Sequence, residues 1–138
     1  MTKLLATVLF GMLLGCGTGQ APPPKTAAGP APTGVDPSAL PPEKLDEVNH
    51  TFQQKQSALN TCYRDEIERT KNMNLVASVT VKVHIGKNGD VLSAEVTQQE
   101  GATEQFQQCV VETIGKFSFP QLPEVLETSW PYQFRPNF

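Results

Sequence analysis

The run Ala77-Ser78-Val79-Thr80-Val81-Lys82-Val83-His84-Ile85 alternates without a break. Ala77, Val79, Val81, Val83 and Ile85 fall on one face, and Ser78, Thr80, Lys82 and His84 on the other. A period of two over nine residues, rich in β-branched side chains, specifies a strand with one apolar face to be covered and one polar face. Gly86-Lys87-Asn88-Gly89-Asp90 follows with an Asn-Gly hairpin signal. Val91 to Thr97 then returns as a second strand, with Leu92, Ala94 and Val96 expected toward the same core.

Upstream, from Pro42 to about Thr70, Leu45, Val48, Phe52, Leu59, Cys62, Tyr63 and Ile67 recur mostly three or four apart, the stripe of one amphipathic helix. Its ends suit the helix dipole. Glu43, Asp46 and Glu47 crowd the first turns and Arg64, Arg69 and Lys71 the last, with Pro42 at the first helical position. Downstream, a second helix starts near Thr103 and carries Phe106, Cys109, Val110, Thr113, Ile114 and Phe117 at helical spacing until Pro120 and Pro123 end it. From Val125 to Phe134 the alternation returns, with Leu126, Thr128, Trp130, Tyr132 and Phe134 on one face.

The order helix, strand, strand, helix, strand restricts the topology. A right-handed crossover through the second helix makes the third strand parallel to the second, so it fits beyond the first strand and antiparallel to it. The expected fold is α+β in two layers: a three-stranded antiparallel sheet of order 2-1-3 with both helices on its apolar face. Pro131 then lies on an edge strand, where its missing N–H is tolerable.

Residues 1–15 read as a lipoprotein signal peptide. Lys3 is the only charge among them, and Leu4 to Leu14 is an eleven-residue apolar core, too short to span a bilayer. Leu13-Leu14-Gly15-Cys16 resembles a lipobox: Gly15 leaves room for signal peptidase II, which would cut between Gly15 and Cys16, and the Cys16 thiol would carry the lipid. By resemblance to Gram-negative lipoprotein sorting, Gly17 after the cysteine implies the outer membrane, facing the periplasm. Residues 16–42 hold the lipidated cysteine and a tether with eight prolines and four glycines after it, expected to be disordered. Such a tether reaches roughly 80 Å if extended as polyproline and about 30 Å as a coil. The folded domain is expected over 43–138.

The chain has 11 Lys+Arg against 14 Asp+Glu, a net charge of −3. Its basic residues are scattered singly, with no stripe to exchange for phosphate counterions, so nucleic acid is not an expected partner. With Cys16 assigned to lipid, Cys62 and Cys109 remain as an even pair in an exported, oxidising setting. Each sits on the apolar stripe of its helix and a disulfide between them is expected; two buried free thiols are the alternative.

Cys62-Tyr63, the hairpin from Ile85 to Val91 with Asn88-Gly89, Cys109-Val110, Phe117-Ser118-Phe119-Pro120 and the closing Pro131-Tyr132-Gln133-Phe134 resemble the AgmX/PglI C-terminal domain family. The resemblance covers about residues 45 to 137. It implies a fold similar to the C-terminal domain of TonB and a place among envelope proteins, the family name coming from gliding motility. Ala77 stands where the family usually has Gly, and the domain follows a lipobox instead of ending a long envelope-spanning protein.

Catalytic chemistry needs a nucleophile with a base, a metal cluster or a carboxylate pair in a cleft. His50 and His84 have no HxxxH or CxxC partner and are expected on the solvated surface, as are Asp65, Glu66 and Glu68 between Arg64 and Arg69. Asn49-His50-Thr51 matches a glycosylation sequon by chance in a bacterial lipoprotein. No catalytic residue, metal site, cofactor or small-molecule substrate is expected. The expected function is a noncatalytic, lipid-anchored accessory or scaffold protein of a periplasmic or outer-membrane assembly, with Trp130 and Gln133 on the last strand as candidate partner-binding residues. A TonB-like energy-coupling element working with an inner-membrane partner is the alternative.

Overall fold

The computed structural model describes residues 33–136. A short 3-10 turn, Pro37–Ala39, leads into α1 (Pro42–Thr70), then β1 (Ala77–Ile85), β2 (Val91–Glu100), α2 (Glu104–Ile114) and β3 (Leu126–Phe134). The three strands form one antiparallel sheet of order β2-β1-β3. This is the expected α+β architecture with the expected strand order.

Each helix begins and ends for a local reason. Pro42 occupies the first turn of α1, where an amide donor would have had no partner, and the Pro41 carbonyl accepts from Lys44 and Leu45. Lys71 then turns left-handed, with φ 57°, and stops the helix. α2 is capped by Thr103, whose Oγ1 accepts from the Phe106 N–H at 3.2 Å. It ends at Ile114, before the expected stop at Pro120: the chain leaves the helix at Gly115, and Ser118 then bridges Asp90 beside the hairpin turn, so Phe117 packs from the following segment and not from the helix. The core fills the space between the helices and one sheet face: Val48, Phe52 and Leu59 of α1 and Phe106, Val110 and Ile114 of α2 close over the five apolar side chains of β1. Burying each such side chain contributes about 1.5–3 kcal/mol relative to leaving it in water.

β2 departs from the simple alternation. Ile85 pairs with Val91 but His84 with Ser93, so Leu92 is an extra residue, a β-bulge. The bulge turns Val91 inward along with Ala94 and Val96 and leaves Leu92, expected in the core, 45% exposed. The connecting turn is closed by the Gly89 N–H on the Gly86 carbonyl, and Gly89 has φ 85°. A Cβ there would run into the Phe119 carbonyl, because the segment after α2 packs against this turn: Phe119 N–H donates to Gly89 and Leu122 N–H to Lys87.

The boundary at residue 42/43 is corrected on the tether side. Val35 and Leu40 belong to the folded unit. Leu40 is 6% exposed in the core, and Val35 forms a parallel bridge to Leu126 at the outer edge of β3. These two are the only large apolar residues of the 17–42 stretch, and their burial offsets the ordering of the residues between them.

Candidate partner-binding edge and groove

The outer edge of β3 is built by alternation. Val35 N–H donates to the Val125 carbonyl at 2.7 Å, and Glu127 N–H donates to the Val35 carbonyl at 2.9 Å. Since these groups point away from β1, the same side holds the N–H and C=O of Ser129 and Gln133 and the C=O of Pro131. None of these has a backbone partner among the described residues. Pro131 therefore lacks its N–H where β1 does not need it, and its register with Thr80 is undisturbed. The N-terminal segment cannot continue along the edge, because the next residue to donate in a parallel ladder would be Pro37.

Beside the C-terminal end of this edge lies an open groove of about 930 Å³ between the second half of α1 and the end of β3. Tyr63, Ile67, Met73 and Phe134 give it apolar surface; Arg64, Gln133 and Arg135 line it with charge and hydrogen-bonding groups. Arg135 Nη2 donates to Gln133 Oε1 at 3.2 Å. Tyr63 is fixed by donating to the Leu75 carbonyl and by stacking on Phe134, with centroids 5.7 Å apart, and burial pushes its phenol pKa up.

Trp130 and Gln133 do not come together. Trp130 is half-buried on the helix side and stacks on Phe52 at 5.0 Å with a 10° interplanar angle, whereas Gln133 is exposed and lines the groove. The tryptophan belongs to the packed face. Cys62 and Cys109 have their sulfurs 1.97 Å apart and their Cα atoms 5.8 Å apart, a disulfide that ties α1 to α2. Gly15 and Cys16 lie outside the described residues.

Two polar clusters differ from the sequence reading. His84, expected on the solvated surface, is only 5% exposed. Its Nδ1 is 2.8 Å from Ser93 Oγ on β2 and its Nε2 is 2.7 Å from Glu127 Oε2 on β3, so one imidazole links all three strands. The order hydroxyl, imidazole, carboxylate is that of an activated nucleophile. It lies on the sheet's polar face, however, and the groove and a second cavity of about 520 Å³ are lined by other residues. The cluster acts as a cross-strand tie. His50, by contrast, is exposed as expected and pairs with Gln54 at 2.7 Å.

Glu66, expected on a solvated helix face, is 4% exposed. Arg69 donates to both of its oxygens, at 2.7 and 3.1 Å, and Thr103 Oγ1 donates to Oε1 at 2.6 Å. Burial alone would raise the carboxyl pKa, but the bonds from Arg69 and Thr103 outweigh it and hold the group below its ordinary value. Thr103 thus caps α2 with its oxygen and anchors α1 with its proton. Tyr132, 1% exposed, has a hydroxyl with no hydrogen-bond partner among the described residues, and burial pushes its pKa up.

No group of three or more metal-ligating side chains and no helix long and apolar enough to cross a membrane occurs among the described residues. No family model, curated protein or solved structure matches the chain.

Proposed function

We propose that this chain is a noncatalytic, lipid-anchored envelope protein whose folded domain binds an extended segment of another envelope protein by adding it as a strand beside β3. The observation that carries the reading is the outer edge from Ser129 to Gln133, which presents backbone donors and acceptors with no backbone partner among the described residues. The lipobox at Cys16 and the tether support attachment to the outer membrane, with the domain held off its surface. The resemblance of the sequence motifs to AgmX/PglI C-terminal domains agrees with a role in an envelope assembly. In this reading Gln133 meets the partner and Trp130 supports the edge from beneath.

A photo-crosslinking residue at Gln133 in cells tests the reading. It should give a discrete adduct that Ser129→Pro removes, since that substitution deletes an outward N–H at the same strand parity as Pro131 and leaves the β1 ladder intact. The same probe at Gln98, on the β2 edge, should give none. Adducts of equal strength from both edges, or an adduct indifferent to Ser129→Pro, would place recognition elsewhere. Cys16→Ser should abolish acyl labelling and reduce the adduct by releasing the domain from the membrane; acyl labelling that survives would refute the anchor.

A further inference from the structure

The groove at the end of β3 differs in charge from the rest of the chain. The protein has more acidic than basic residues, yet among the described residues the groove lining includes Arg64 and Arg135 and no acidic side chain. Neither arginine is in an ion pair among the described residues. The lining also carries apolar surface from Tyr63, Ile67 and Met73, the last 59% exposed, with Phe134 buried against Tyr63.

We propose that the groove selects an acidic partner segment, extended in conformation, that sets an apolar side chain on the surface of Tyr63, Ile67 and Met73 and places carboxylates against Arg64 and Arg135. The inference rests on strand addition at β3 and adds the chemistry of the partner. Gln133 belongs both to the edge and to the groove, so a strand paired at Ser129 and Gln133 runs into the groove at that end. Guanidinium groups suit carboxylates because their N–H donors match both oxygens. Complementary charge at the rim, with like charge penalised, sets which partner is accepted. An anionic membrane surface also bears acidic groups, but a concave groove beside unpaired backbone groups fits a single chain better than a flat bilayer.

The test uses the full lipidated chain in neutral phosphatidylcholine nanodiscs and reads the fluorescence anisotropy of a labelled, end-blocked decapeptide of alternating Glu and Val. Its Lys-Val counterpart is the control. The acidic peptide should bind about tenfold more tightly than the basic one and lose affinity with added salt. Arg64→Glu combined with Arg135→Glu should remove or reverse that preference, and Ser129→Pro should weaken both peptides. If the double variant binds the acidic peptide as the parent does while Ser129→Pro abolishes binding, the charge inference fails and strand addition stands. If Ser129→Pro has no effect while the arginine variant does, strand addition fails and the groove recognises acid by itself. Equal binding of both peptides, no binding of either, or binding to phosphatidylglycerol vesicles that exceeds peptide binding would each overturn the proposal.

Discussion

Glu66 retains its charge in the interior because Arg69 and Thr103 supply three hydrogen bonds to it, one of them across the gap between the helices. With a folded-state pKa below the ordinary 4.5, the carboxylate contributes stability that is fully present above 4.5 and is lost as pH falls through the folded value. Acid titration of the thermal midpoint should therefore show a loss beginning below about 4.5 that Glu66→Gln reduces. The same substitution should cost about 1–2 kcal/mol at neutral pH, the Arg69 share being small because that side chain is 42% exposed. A midpoint whose acid dependence is unchanged by Glu66→Gln would show that the charge is not needed there. Neither Glu66 nor His84 was legible as buried. Sequence period assigns a residue to a face of its own element, but burial depends on what the neighbouring elements bring over that face, here Thr103 of the α2 cap and the flanking Ser93 and Glu127.

At the scale of elements, the strands and helices were legible because their periods are clean: β1 and α1 stand where alternation and helical spacing put them, and α2 starts where expected but ends at Ile114, short of Phe117. The misreadings occur where one residue shifts the phase or where a short segment is stabilised only by docking. The bulge at Leu92 shifts the phase of β2, and no pattern within Val91 to Thr97 announces it. The segment from Val35 to Leu40 looks like tether by composition and becomes part of the domain because Leu40 finds a hole in the core and Val35 finds an unpaired strand. Leu40→Ala should lower stability by about 2 kcal/mol and, in hydrogen exchange, unprotect the Glu127 amide while Thr128, which faces β1, stays slow. Equal protection of Glu127 in both proteins would mean that Val35 docks without help from Leu40.

For the whole molecule, the Cys62–Cys109 link joins the two helices across a separation of 47 residues. The chain-entropy model gives it roughly 4 kcal/mol. The Cys62→Ser, Cys109→Ser double variant should lower the denaturant midpoint by a corresponding amount while keeping the same fold. An unchanged midpoint would show that packing alone holds the helices together.

By itself the sequence determined the element order, the α+β class and the strand order 2-1-3. Hydrophobic period is local, and the handedness of a crossover leaves few ways to connect such elements. It also marked a run that resembles a lipobox and a pair of cysteines that the structure joins, because short chemical motifs are readable without a fold. The sequence pointed to the β3 edge and Gln133, but tertiary structure alone decided the groove beside them. Arg64, Tyr63 and Ile67 come from α1, Met73 from the loop after it and Arg135 from beyond β3, residues as much as 72 positions apart that no spacing rule connects. The free part of the β3 edge was likewise decided only when Val35 docked on one end and left the other open, since an edge is defined by the strand that is not beside it.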